Sequence, residues 1–158
     1  METLITTQKA EFRSALPAGG PLMGLDLGTR TIGTAFCDAG WHFASPARTL
    51  KRGKFGADRQ ALEKLAKERS IAGIVLGLPL NMNASEGPRA QASRAYARNL
   101  GVLGLPILLW DERWSTADAE RGLIGQDMSR AKRADRIDAA AAAVILQGAI
   151  DALSGGIL

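Results

Sequence analysis

The chain has 158 residues, 46% of them hydrophobic and 23% charged, an ordinary composition for a globular protein with enough sequence for one well-buried core. Its 20 Lys and Arg outnumber 16 Asp and Glu, and the formal charge of +4 favours anionic partners, nucleic acid among them. A lone cysteine, Cys37, excludes an internal disulfide or a multi-thiol zinc site and suits a reducing cytosol, while the absence of both a signal-peptide pattern and an apolar run of ~18 residues argues against secretion and membrane insertion.

Residues 1–20 end in Pro17, Gly19, Gly20 and Pro21 and read as a mobile or loosely docked extension ahead of a single domain, 21–158. LMGLDLG and TIGTAFCD predict two strands of a hairpin, with Met23, Leu25 and Leu27 on one face and Leu22, Gly24 and Asp26 on the other. WHFASPART predicts a third strand, kept short by Pro46. ADRQALEKLAKERS carries Leu62, Leu65 and Ala66 at helical spacing, and the apolar run IAGIVLGLPL after it fits a strand buried on both faces, reached by a crossover to a parallel neighbour. A helix from about Glu86 to Leu100 follows, then a buried strand in LPILLWDE. Ser115 and Asp118 resemble a capping pair opening a short helix up to Leu123, GQDMSRAKR reads as a flexible loop, and DRIDAAAAAVILQGAIDAL is the strongest helix in the chain. The order implies an α/β fold, a mixed sheet flanked by helices.

Three acids stand in unusual places. Asp26 interrupts an apolar strand, Glu112 with its neighbour Asp111 ends another, and Asp138 opens the long helix in line with Ala141, Ala142, Ile145 and Ala149, on the face that meets the sheet. Each has an ordinary explanation when taken singly: Asp26 capping a turn, Glu112 pairing with Arg113, Asp138 favouring a helix N-terminus. Gathered together they repel and lose hydration, whereas Mg2+ or Mn2+ reverses that balance with oxygen ligands. Paired ions about 4 Å apart activate water and stabilise a leaving oxygen in phosphodiester hydrolysis without His or Cys at the centre. His42, the only histidine, reads as a surface residue at a strand end.

GLDLGTRTIGTAFCD at 24–38, GLPLNMNASEGPRA at 77–90, WDERWSTADAE at 110–120 and DRIDAAAAAVIL at 135–146 together resemble the YqgF, or RuvX, family. That family is described as candidate pre-16S rRNA nucleases or Holliday junction resolvases. The resemblance covers about residues 21–150 and implies an RNase H-like fold, a five-stranded mixed sheet of three antiparallel strands followed by parallel ones. It implies a metal-dependent nuclease acting in maturation of the 5′ end of pre-16S rRNA, with branched DNA as the alternative substrate. Block by block it carries the catalytic and metal-binding acids onto Asp26, Glu112 and Asp138, with Asp111 replacing or assisting Glu112, Asp135 a weaker match, and a homodimer compatible with the pattern. Two departures stand out: Asn83-Ala84 where the family commonly has Asp-Gly, and Trp114 where a Leu commonly follows Asp-Glu-Arg.

The Gly77–Gly87 loop follows a buried strand and precedes a helix, which places it at the crevice beyond the strands' carboxyl ends. Asn81, Asn83 and Ser85 there are candidate donors to phosphate or sugar, and equally an ordinary polar connection capped at Ser85. Arg113, Arg89, Arg94, Arg98 and the group Arg130, Lys132, Arg133 and Arg136 are candidate phosphate contacts, each alone most often a solvated charge. Trp110 reads as core, and Trp114 is the tryptophan placed to stack on a base. Two other classes compete with the nuclease. DLGT also resembles the phosphate loop of actin-like ATPases, but one domain and no second Gly-Gly phosphate motif count against it. A non-catalytic RNA-binding or transcription-associated factor has no use for three inward acids.

Overall fold

The computed structural model describes residues 2–114 and 130–155, the side chains of residues 114 and 130–137 lying outside that description. The Ser115–Leu123 helix and the 125–129 part of the expected loop therefore fall outside the described residues, as do the side chains of Trp114, Arg130, Lys132, Arg133, Asp135 and Arg136.

The chain runs β1 (Ile5–Thr6), α1 (Lys9–Ala15), β2 (Leu22–Leu27), β3 (Thr31–Cys37), β4 (Ala44–Lys51), α2 (Phe55–Glu68), β5 (Gly73–Leu78), α3 (Pro88–Leu100), β6 (Ile107–Asp111) and α4 (Arg130–Ser154). One six-stranded sheet results, in the order β1-β6-β5-β2-β3-β4. β2, β3 and β4 pair antiparallel, whereas β5 joins β2, and β6 joins β5, in parallel. The crossovers expected from the helix-strand alternation are α2 and α3.

Side-chain alternation divides the core into two layers. Met23, Leu25, Leu76, Leu78 and Leu109 meet Leu62, Leu65, Tyr96 and Leu100 of α2 and α3 on one face. Leu22, Val75, Leu108 and Trp110 meet Phe12 of α1 and Ala142, Ile145, Leu146 and Ala149 of α4 on the other. Trp110 is core, as its strand position implied. The alanine run of α4 lets backbone approach backbone: a Cβ on Gly24 would stand 2.7 Å from the Leu146 Cβ.

The structure differs from the sequence expectations at both ends. A sixth strand, β1, pairs in parallel with β6 through Ile5↔Ile107 and Thr6↔Leu108, and Phe12 of α1 is fully buried. The residues expected to hang loosely thus supply sheet edge and core, and burying one Phe side chain contributes about 1.5–3 kcal/mol. A two-residue strand and a helix with one core residue carry no period to read. At the other end α4 spans Arg130–Ser154, so Asp138 lies well inside the helix instead of opening it. Ala, Lys and Arg are good helix formers, and a polar composition there imitates a loop. The helix-terminus explanation of Asp138 goes with that change, since the dipole acts within the first turn.

Pro46 is tolerated because β4 is an edge strand, and a register irregularity lies opposite it between Gly33 and Ala35. α3 starts at Pro88 behind Gly87, with no side-chain cap, so Ser85 does not cap it. His42 is exposed, its ring 2.7 Å from Asp38.

Cys37 is buried in the α4-side layer, and burial pushes its thiol from about 9 up to about 11. The unfolded chain then releases this proton first as pH rises. The thiol's contribution to stability is whole below pH 9 and is lost by about pH 11, on the order of 3 kcal/mol. Urea midpoints for wild type and Cys37→Ala across that window check this, with the alanine variant losing the corresponding part of the alkaline decline.

Candidate active site

Asp26 sits next to the end of β2, only 5% exposed, on the α4 face with Leu22 and Gly24. Its antiparallel partner on β3 is Gly33. A Cβ at Gly33 would fall on the Asp138 carbonyl, its carbon 2.5 Å away, so α4 rests directly on the backbone beside Asp26. Asp138 is half-buried there and accepts a 2.6 Å hydrogen bond from the Thr31 hydroxyl, which rises from the same face of β3 two residues before Gly33.

On the other side of Asp26 lies Gly77 of β5, the position that follows the Leu25↔Leu76 pair in parallel register. A Cβ there would stand 3.0 Å from both Cγ and Cδ of Glu112, and 3.0 Å from Cδ1 of Ile145 on α4. Glu112, in the short 3-10 turn after β6, therefore lays its carboxyl-bearing end over β5 on the α4 face. Asp138, Asp26 and Glu112 thus stand over three adjacent strands, β3, β2 and β5, on one side of the sheet. Two glycines flanking Asp26 make the room.

Asp111 goes the other way. It pairs with Leu78, alternates with Trp110, and is 6% exposed. Arg113 donates to it from Nη2 at 2.6 Å, from Nε at 3.0 Å and from its backbone N–H at 3.0 Å. Burial opposes the charge on Asp111, and these bonds with the guanidinium more than offset it, holding the carboxyl below the ordinary carboxylate range. Arg113 also donates from Nη1 to the Met82 carbonyl at 3.0 Å, tying the end of β6 to the loop before α3. Sequence could not separate adjacent acids at a strand end, and the turn after Asp111 distributes them to opposite faces.

The expected loop donors are exposed and bonded mainly to one another. Asn81 Nδ2 donates to Ser85 Oγ at 3.0 Å, and Ser85 Oγ donates to Asn83 Oδ1 at 2.6 Å. Ala84 holds φ of +70° in this turn, a conformation that strains any residue with a Cβ. Ala84→Gly is expected to raise stability by about 0.5–1 kcal/mol, read as a higher urea midpoint with unchanged slope. Arg89 is exposed near the start of α3, and Arg94 pairs with Glu86 at 2.6 Å. Arg133 lies on the α4 backbone.

Thr31, Gly33 and Gly77 are the site residues that the motif reading left out. Each lies on the α4 face beside Asp26, a relation visible only once strand register is known.

An all-oxygen set of three carboxylates, with a hydroxyl supporting one of them, is the donor chemistry of hard divalent cations such as Mg2+ or Mn2+. Among the described residues no three His, Cys, Asp or Glu side chains are drawn together as a formed metal-holding group. The acids share a face, and the donor chemistry is what fits. No helix among the described residues is long and apolar enough to cross a membrane.

Comparison with known proteins agrees with this architecture. The RuvX family model, described as Holliday junction resolvase, matches residues 20–152. A protein of Sphingopyxis alaskensis is 62% identical over 96% of this chain and 99% of its own length, and one of Novosphingobium aromaticivorans is 60% identical over 96% and 98%. Both carry the name of a candidate pre-16S rRNA nuclease. Among solved structures, RuvC of T. thermophilus in complex with a Holliday junction substrate superposes with a TM-score of 0.52 at 13% identity, over 86% of this chain and 96% of that one, a likeness of fold. With a family-model match over most of its length and relatives of 60% identity along nearly all of it, this chain belongs to the RuvX family.

Proposed function

We propose that the protein is a divalent-metal-dependent endonuclease that hydrolyses phosphodiester bonds in the maturation of the 5′ end of pre-16S rRNA, with Asp26, Glu112 and Asp138 as its catalytic acids. The observation that carries this reading is the delivery of these acids to one face over three neighbouring strands, while Asp111 is bound by Arg113 on the opposite face. The names of the close relatives support the substrate, and the basic charge of the chain suits a polyanion.

Asp26, Glu112 and Asp138 would hold Mg2+ or Mn2+, which when bound supplies an activated water and stabilises charge on the phosphate and leaving oxygens. The chain's own residues do the rest. Thr31 fixes the orientation of Asp138 through its hydroxyl. Gly33 and Gly77, lacking a Cβ, let the α4 backbone at Asp138 and the Glu112 side chain approach the sheet on either side of Asp26. Arg113, bound to Asp111, anchors the Asn81–Ser85 loop through Met82 and so sets the rim facing the substrate.

A second reading, resolution of four-way DNA junctions, is favoured by the description of the family model. Purified wild type and Asp138→Asn assayed on a precursor rRNA fragment and on a four-way DNA junction, with Mg2+, Mn2+ or chelator, decide between them. The proposal expects RNA cleavage by wild type with either metal and none by the variant or with chelator. Cleavage confined to the junction moves the substrate to DNA. Binding without cleavage of either makes the chain a non-catalytic binding factor.

A further inference from the structure

The segment Lys51–Lys54, which joins β4 to α2, is fastened to the turn that follows Asp26. The Arg52 N–H donates to the Arg30 carbonyl at 2.8 Å, and Arg52 Nη1 donates to the Gly28 carbonyl at 2.7 Å. Gly53 N–H donates to Asp58 at 2.9 Å, and Asp58, 4% exposed, also accepts from the Tyr96 hydroxyl at 3.0 Å. The Arg52 guanidinium stands 5.1 Å from the centre of the Tyr96 ring. A buried carboxylate bonded to backbone and side chain is costly to dislodge, so this segment is a rigid mount.

Three cations project from the mount. Arg30 on the turn, Lys51 at the end of β4 and Lys54 ahead of α2 are all exposed. Lys51 is the register partner of Thr31, and antiparallel partners share a face, so Lys51 stands on the carboxylate side of an edge strand. The ion pairs among the described residues join Asp38 with His42, Glu63 with Arg59 and Lys67, Glu86 with Arg94, and Asp111 with Arg113. None includes Arg30, Lys51 or Lys54. Lys51 and Lys54 flank the Arg52–Gly53 step, and the Arg30 carbonyl accepts from the Arg52 N–H, so the three exposed cations belong to one edge of the molecule, where a polyanion is attracted.

We propose that Arg30, Lys51 and Lys54, mounted on the Arg52–Tyr96–Asp58 clasp, form the track along which the phosphodiester backbone of the substrate approaches the carboxylates from the β4 edge. The identity of the polyanion rests on the nuclease reading; the track itself rests on the mount and its cations. Phosphate contacts of this kind position a strand without reading its sequence and weaken steeply with salt.

The test is equilibrium binding of a labelled RNA hairpin and a labelled four-way DNA junction to the full chain in chelator, across a salt series, for wild type, Lys51→Gln/Lys54→Gln and the control Lys64→Gln on the exposed side of α2. Circular dichroism melts confirm that all three fold alike. The double variant is expected to lower the logarithmic salt slope by about 2, one for each phosphate that no longer meets a lysine, and to weaken binding on the order of tenfold or more, with the control unchanged. Wild-type affinity and slope in the double variant, or an equal loss in Lys64→Gln, overturns the track, as does failure of wild type to bind either probe. Cleavage by wild type in Mg2+ or Mn2+ is scored separately. A chain that binds through these lysines yet cleaves neither probe keeps the track and loses the nuclease reading.

Discussion

Asp26→Asn is expected to lower phosphodiester cleavage on the order of a thousandfold while leaving the fold intact. The amide keeps the shape of the side chain and removes the charge on which a hard cation depends. A metal's stabilisation of charge in the transition state amounts to several kcal/mol, and at about 1.4 kcal/mol per tenfold the loss is of that order. Because Glu112 lies over the adjoining strand on the same face, Glu112→Gln is expected to lose rate in the same assay. Asp111→Asn serves as the contrast. It removes the charge that binds Arg113 in the opposite layer, so its main expected effect is on stability, about 1.5–3 kcal/mol for charge-assisted bonds. Single-turnover rates and urea midpoints on the three variants check the division. Wild-type cleavage by Asp26→Asn in Mg2+, or a rate loss in Asp111→Asn as deep as in Glu112→Gln, breaks the assignment of acids to faces.

Periodicity made much of this legible in advance. Alternation in LMGLDL put Asp26 opposite Met23, Leu25 and Leu27, and helical spacing put Asp138 in line with Ala142 and Ile145; both arrangements hold. What periodicity could not convey is register. Gly33 and Gly77 look like ordinary strand glycines in one dimension, and only pairing shows that they border Asp26. The same limit hid Lys51, whose place beside Thr31 follows from a strand pairing interrupted by an irregularity. Short elements escape for another reason: Phe12 is the one buried residue of α1, and one core residue in a seven-residue helix makes no pattern. The Asp111–Glu112 ambiguity lay in the turn after β6, where strand alternation stops.

The two glycines beside Asp26 are expected to respond differently to the same methyl group. At Gly33 a Cβ meets the backbone of α4 at Asp138 and Ala139, which cannot move without lifting the helix. Gly33→Ala is therefore expected to lose stability at or beyond the upper end of the about 1–3 kcal/mol typical of overpacking, and cleavage falls with the fold. At Gly77 the Cβ meets Cγ and Cδ of Glu112 and Cδ1 of Ile145, all at 3.0 Å and all parts of side chains that can swing aside. Gly77→Ala should cost only about 1 kcal/mol of stability. It should nevertheless slow cleavage on the order of a hundredfold, because displacing a catalytic group by about 1 Å has that effect. Urea unfolding and single-turnover cleavage measured on both variants separate the two outcomes: one loses the helix, the other keeps the fold and loses the rate. A Gly77→Ala protein that cleaves at the wild-type rate would mean that the position of Glu112 over β5 has no part in the chemistry.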